Sequence, residues 1–152
     1  MKLVSIQYPV FNPYDKSTVE LYFSGCTRRC RGCHNPELAN FDMGDELDEK
    51  KIKEVIDYLK LRDGFFDIIS FTGGDPLCNN HEEFLNFVSI LKKEFQHKEF
   101  WLFTGADKEE LKTFPKYYFD VIKCGSYNEK LKQEGFPASS NQKILKKGKD
   151  YL

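Results

Sequence analysis

Three cysteines, Cys26, Cys30 and Cys33, fall close together in the run Ser24-Gly25-Cys26-Thr27-Arg28-Arg29-Cys30-Arg31-Gly32-Cys33-His34-Asn35. Their spacing is C-x3-C-x2-C, with no fourth cysteine nearby. Three thiolates can hold three irons of a 4Fe-4S cube and leave the fourth open to a small molecule, whereas a closed structural site takes four protein ligands. The pattern points to a cluster that presents a reactive iron. A zinc site would need His34 as its fourth ligand. That is awkward, because His34 directly follows Cys33 and both would have to turn inward around one small ion. A redox or incidental group of thiols is the third reading. Arg28, Arg29 and Arg31 interleave the thiols, either as a solvated loop, or to offset cluster charge, or to dock an acidic partner.

A second motif is Phe71-Thr72-Gly73-Gly74-Asp75-Pro76-Leu77. Two glycines at a strand end allow close backbone approach and leave N–H and C=O groups free to face a ligand. Alone, the motif reads equally well as a tight turn. It gains meaning only if the fold brings it to the cysteine loop.

The elements that must do so can be read from periodicity. Thr18 to Phe23 alternates and carries strand formers, then stops at Gly25. Residues 46 to 61 place Ile52, Val55, Ile56 and Leu59 at helical spacing. Phe66 to Thr72 is a second strand, and Phe84, Val88, Leu91 and Phe95 mark one face of a second helix. Phe100 to Phe103 and Asp120 to Cys124 are further strands. Asp107 with Glu110 resembles a capping box that starts a short third helix. Such β-loop-α alternation implies crossover connections and a parallel sheet. Loops leaving the C-terminal strand ends then share one rim, where ligands bind. The cysteine loop, Gly73-Gly74, Thr104-Gly105 and Lys123 to Gly125 all fall on that rim.

Bulk properties set the class. The chain has 152 residues, which fits one domain over residues 1–152. With 23 basic and 24 acidic residues there is no electrostatic case for nucleic acid or a membrane surface. No apolar stretch approaches the roughly 20 residues of a membrane span. The first residues show no signal-peptide pattern, so a soluble cytoplasmic protein is expected. Five cysteines, three of them crowded, suit a reducing compartment and a metal site better than a disulfide framework. Aromatic residues make up 15% of the chain, which points to a Phe-rich core.

The cysteine motif after a first strand, followed by a Gly-Gly-acid-Pro turn after the second, resembles the radical S-adenosylmethionine superfamily. Gly25-Cys26, Cys30, Gly32 to Pro36, Ser70 to Leu77, Trp101 to Gly105 and Ser139-Ser140-Asn141-Gln142 resemble, more narrowly, the anaerobic ribonucleoside-triphosphate reductase activating proteins. The resemblance runs from about residue 18 to residue 145. It implies an α/β fold, an open, partial parallel β/α barrel of about five or six strands.

The resemblance also implies roles. Cys26, Cys30 and Cys33 would ligate the cluster, and S-adenosylmethionine would chelate the open iron. Gly73, Gly74 and Asp75 would meet its amino group, largely through backbone. Gly32, Cys33 and His34 would lie beside the adenine, and Thr104 and Lys123 could reach the ribose or carboxylate. Lys123 reads equally as a structural strand lysine. Ser139 to Gln142 could line the mouth, dock the partner or simply form a polar turn before a last strand. The implied reaction is reductive cleavage of S-adenosylmethionine, after which a glycine of the partner reductase loses a hydrogen atom and stores a glycyl radical. No acid–base side chain is required. The implied partners are the catalytic subunit of an anaerobic ribonucleotide reductase and a low-potential electron donor such as flavodoxin.

Rival functions are a small-molecule radical S-adenosylmethionine enzyme, for example in deazapurine biosynthesis, and a non-catalytic iron–sulfur or zinc module. Two stretches depart from the family. Phe11 to Val19 lacks the usual Gly-Pro-Gly-x-Arg-like run, and Pro137-Ala138 stand where Arg-Gly often precedes Ser-Ser-Asn-Gln. Cys124 reads as a buried strand residue, His81 as a surface residue at a helix start, and Lys146 to Lys149 as a solvated tail. Cys78 is left without a firm role.

Overall fold

Along Thr18–Phe23, Val19, Leu21 and Phe23 alternate with Glu20 and Tyr22, and the pleat sends the two sets to opposite faces. The other inner strands follow the same rule. The computed structural model describes residues 1–152. In chain order its elements are β1 (Lys2–Val10), β2 (Thr18–Phe23), β3 (Asp45–Glu46), α1 (Glu49–Lys60), β4 (Ile68–Gly73), α2 (His81–Glu94), β5 (Glu99–Phe103), β6 (Val121–Cys124) and β7 (Lys143–Lys146). One seven-stranded sheet runs in the order β3-β1-β2-β4-β5-β6-β7.

The four central strands, β2, β4, β5 and β6, are parallel, as expected. The outer strands correct the expectation of a wholly parallel sheet, because β1, β3 and β7 pair antiparallel. β1 was not anticipated, and it adds nine residues beside β2. The sheet also exceeds the expected five or six strands. The third helix does not form. Asp107 and Glu110 do exchange the reciprocal capping-box bonds, at 2.9 Å each. Only a three-residue 3-10 turn follows, Glu110–Lys112, before Pro115 ends any helical run.

Both true helices are capped locally. Asp48 accepts from the Lys51 N–H and Asn80 from the Glu83 N–H. Val55 and Leu59 of α1, and Phe84, Phe87, Val88 and Leu91 of α2, share one core with Val19, Leu21, Phe23, Ile69, Phe71, Phe100 and Leu102. The two helices therefore cover the same face of the sheet. Phe71 is central there. Its ring lies 5.6–6.3 Å from those of Phe23, Phe84, Phe87, Phe100 and Phe119, all fully buried.

The opposite face is different. It carries Glu20, Tyr22, Ser70, Trp101, Phe103 and Lys123. The segment from Phe11 to Ser17 crosses part of it. Tyr14 is buried there, edge-on to Trp101 at 5.1 Å and stacked on Phe103 at 5.9 Å. Parallel register aligns the strand ends, with Phe23 opposite Gly73 and Phe103 opposite Lys123. The loops that follow these strands thus emerge side by side.

Candidate functional site

The cysteine loop is tied down at its first cysteine. Gly25 donates its N–H to the Leu38 carbonyl (2.7 Å) and Cys26 to the Ala39 carbonyl (3.2 Å). The Cys33 N–H closes a turn on the Cys30 carbonyl. The Gly73-Gly74 turn packs directly against this loop. A Cβ on Gly73 would strike the Phe23 backbone, and one on Gly74 would lie 2.7 Å from both the Gly25 and Leu38 carbonyl oxygens. Gly73 also sits at φ +124°, where a side chain is strained. The glycines are there so that two backbones can touch.

That contact consumes the N–H groups expected to face a ligand. Gly74 donates to the Phe23 carbonyl and Asp75 to the Gly25 carbonyl, each at 2.8 Å. What remains is the Gly74 carbonyl, which accepts no hydrogen bond from the protein.

Asp75 is a buried hub. Its carboxylate accepts from the Leu77 N–H (2.9 Å), the Gly105 N–H (2.8 Å), the Thr104 hydroxyl (2.8 Å) and the Arg28 guanidinium (2.6 Å). Arg28 also reaches both Glu110 oxygens at 3.2 Å. Burial would lower the Arg28 guanidinium, but Asp75 beside it holds it well above its ordinary value. One carboxylate thus joins the ends of β4 and β5 to the cysteine loop. Arg28 is therefore committed to an internal pair, neither solvated nor free for a partner. The Thr104 hydroxyl, too, is spent on Asp75.

Cys26, Cys30, Cys33, His34, Gly73, Gly74, Asp75, Thr104 and Lys123 all line one cavity of about 1030 Å³. Gly32 is exposed on the same loop and does not line it. Burial lowers the Lys123 ammonium below its usual value, against the opposing pull of Asp75 and the neighbouring thiols. It forms no hydrogen bond or ion pair and lies 5.3 Å from the Phe103 ring centre. Burial pushes the Cys26 thiol up to about 11, and Cys78 beside it acts in the same sense. The rings of His34 and Tyr127 lie 5.2 Å apart at the wall.

Residues 17–145 match the family described as a 4Fe-4S single cluster domain. An anaerobic ribonucleoside-triphosphate reductase-activating protein of Enterobacteria phage T4 is 34% identical over 129 residues, covering 83% of this chain and 81% of the relative. A protein of the same name from Pasteurella multocida is 36% identical over 119 residues, covering 72% and 73%. The chain belongs to this family of activating proteins. A third relative so named, from Vibrio cholerae, is 31% identical over 134 residues, covering 82% and 84%. The activating-protein match to the cluster domain begins just before β2 and ends in β7, so it contains the whole cysteine loop and every strand end at the cavity.

Do the residues of this activating protein fit an iron–sulfur cluster? The donor set is three free thiols on one loop, all facing one cavity. No three His, Cys, Asp or Glu side chains close on a single-ion site. A lone zinc needs its thiolates about 2.3 Å from one ion. Thiols spread along a cavity wall suit a group with several irons, each taking one thiolate. The residues fit a cluster.

Several site features were not anticipated. Glu20 is buried at the cavity floor without a cation, accepting from Tyr14 (2.6 Å) and Tyr22 (2.7 Å), while Tyr14 also bonds Ser70 (2.8 Å). Burial and Glu20 push both tyrosines well above their ordinary range. The signal was a charged residue inside an otherwise strand-forming run. Ser139 and Gln142 are buried and brace the chain after β6. Gln142 donates to the Gly125 carbonyl (3.0 Å), and Ser139 Oγ accepts from the Asn128 N–H (3.2 Å). Cys124 is buried in β6. His81 is held at the start of α2, its ring nitrogen 2.8 Å from the Leu77 carbonyl oxygen.

Proposed function

We propose that this chain reductively cleaves S-adenosylmethionine with a 4Fe-4S cluster and generates a glycyl radical on an anaerobic ribonucleoside-triphosphate reductase. The observation that carries this reading is the convergence on one cavity of three free thiols, an unpartnered backbone carbonyl and an unpaired ammonium. The names of the relatives support the choice of protein partner.

Cys26, Cys30 and Cys33 would hold the cluster. When bound, the cluster and S-adenosylmethionine supply one low-potential electron and the radical that takes a hydrogen atom from the partner's glycine. The chain's own residues bind, orient and exclude water. The Gly74 carbonyl would accept from the amino group of the methionine moiety, and the Lys123 ammonium would pair with its carboxylate. Gly73 and Asp75 would place that carbonyl, with Thr104 and Arg28 acting through Asp75. Cys33, His34 and Tyr127 would lie beside the adenine, while Gly32, outside the cavity, would only shape the loop that carries them.

The seven-stranded sheet is read as the open, partial barrel of a single radical S-adenosylmethionine domain over residues 1–152. An open rim admits a polypeptide loop, which suits a protein substrate. Five unpaired cysteines suit the cytoplasm. A low-potential donor such as flavodoxin would deliver the electron.

The test is anaerobic incubation of the reconstituted protein with S-adenosylmethionine, reductant and the reductase, followed by electron paramagnetic resonance. A glycyl doublet on the reductase is expected. Cleavage of S-adenosylmethionine without any doublet would favour the small-molecule reading instead.

A further inference from the structure

One charge in the cavity wall has no counterpart in the chain. Glu20 is buried and lines the cavity, and it forms no ion pair. Tyr14 donates to its Oε2 (2.6 Å) and Tyr22 to its Oε1 (2.7 Å), lengths typical of an O–H donor on an ionised carboxylate. A buried carboxylate without a cation is costly. The cavity's own cations are elsewhere. Arg28 is taken by Asp75 and Glu110, and Arg29 is exposed on the cysteine loop. Lys123 stands on β6, three strands from β2 and so about 14 Å away. The ammonium of S-adenosylmethionine is not its partner either. Glu20 is level with Ser70, four residues before the Gly74 carbonyl proposed for that ammonium, a rise of about 13 Å. The carboxylate thus stands below the cofactor site, not in it. Its support comes from the stretch in which this chain departs from its family, because Tyr14 lies within Phe11 to Val19.

We propose that Glu20 receives an arginine side chain of the polypeptide whose glycine is activated, and so helps to select that polypeptide. Each carboxylate oxygen accepts from one tyrosine and keeps a second lone pair. Two parallel N–H groups of a guanidinium match those lone pairs, whereas an ammonium offers only a point charge. The walls suit the rest of the side chain. Tyr22, Phe103 and Phe136 line the same cavity, and the rings of the last two stack at 5.5 Å. An arginine can lay its stem and its planar head along such faces. Tyr14 and Tyr22 hold the carboxylate in place before the guest arrives, which lowers the cost of ordering it. That the arginine comes from a polypeptide rests on the proposed function, while the preference of the site for a guanidinium does not.

The test uses the full chain, before any cluster is added, and synthetic peptides of the form acetyl-Ala-X-Ala-Gly-Ala-amide. X is arginine, lysine or citrulline, the neutral isostere of arginine. Binding is followed by isotope-edited nuclear magnetic resonance of the backbone amides. The arginine peptide is expected to bind about tenfold more tightly than the citrulline peptide, with shifts at Tyr14, Glu20 and Tyr22. The lysine peptide should fall between them. In Glu20→Gln the arginine and citrulline peptides should bind alike. Equal binding of the two to wild type, binding of neither, shifts confined to residues outside the cavity, or an arginine preference retained in Glu20→Gln each overturns the proposal. If Glu20→Gln does not fold, the preference and the shift map of wild type decide alone. In the activation assay Glu20→Gln should raise the KM for the reductase about tenfold with little change in kcat. A KM equal to that of wild type contradicts the selective role. If wild type forms no glycyl doublet at all, the proposed function fails while the peptide preference still decides the site.

Discussion

Asp75 shows how a residue can serve a binding site without facing the ligand. Its carboxylate is 1% exposed as a residue and gathers donors from three segments. Removing it leaves the largely buried Arg28 with only the half-exposed Glu110 and unpairs the Leu77 and Gly105 N–H groups, so Asp75→Ala should lower stability by about 3–5 kcal/mol, measured by urea denaturation of the cluster-free chain. A role limited to ligand contact would leave that stability unchanged. Tyr14 gives a pH-dependent test. Burial and the Glu20 carboxylate raise its folded pKa above the unfolded value near 10. The stabilisation is therefore complete below about pH 10 and is lost as pH rises toward the folded pKa, because only the unfolded chain sheds the proton. Tyr14→Phe should be less stable at neutral pH by about 1–3 kcal/mol and should show a shallower loss above pH 10. An equal alkaline slope in both proteins would remove Tyr14 as the cause. Lys123 carries the opposite sign. Burial makes its charge unfavourable in the folded state, so stability rises with pH in the window below 10.5. Lys123→Met should raise the thermal midpoint while weakening S-adenosylmethionine binding, a split expected of a residue kept for a ligand.

At the scale of elements, the decisive event is contact between the end of β2 and the end of β4. Gly73→Ala would drive a methyl into the Phe23 backbone at a φ that disfavours side chains. Loss of about 1–3 kcal/mol is expected from the crowding, together with poor iron uptake, because the same shift moves Gly25 and Cys26. A Gly73→Ala chain that binds iron like wild type would contradict this coupling. The sequence made these inner strands legible, since the pleat sorts Val19, Leu21 and Phe23 from Glu20 and Tyr22. It also marked both capped helices. It did not reveal β1, because only one of its nine residues is buried and two register shifts against β2 blur the alternation. The false helix at Asp107 had a true start signal. Local capping was outweighed by Pro115 and by the burial of Leu111 and Phe114 in the core.

Across the whole molecule, the two faces of the sheet divide the work. One face is a packed aromatic core, where Phe71→Ala should lower stability by about 3–5 kcal/mol without altering which thiols face the cavity. The other face carries the cavity that the cysteine loop and the strand ends line. Which residues would share that cavity was largely legible, because parallel strands bring their C-terminal loops together. How they are used was not, since the hub at Asp75 and the Tyr14–Glu20–Tyr22 group depend on side-chain directions that spacing does not encode. The proposed function has Cys26, Cys30 and Cys33 hold a cluster on which S-adenosylmethionine would be cleaved. It is tested most directly by reconstituting the protein anaerobically, adding strong reductant and S-adenosylmethionine, and quantifying 5′-deoxyadenosine. Wild type should form it in step with cluster content, and Cys26→Ala, Cys30→Ala and Cys33→Ala should form none. A wild-type protein that holds its full cluster yet yields no 5′-deoxyadenosine would rule out the proposed cleavage.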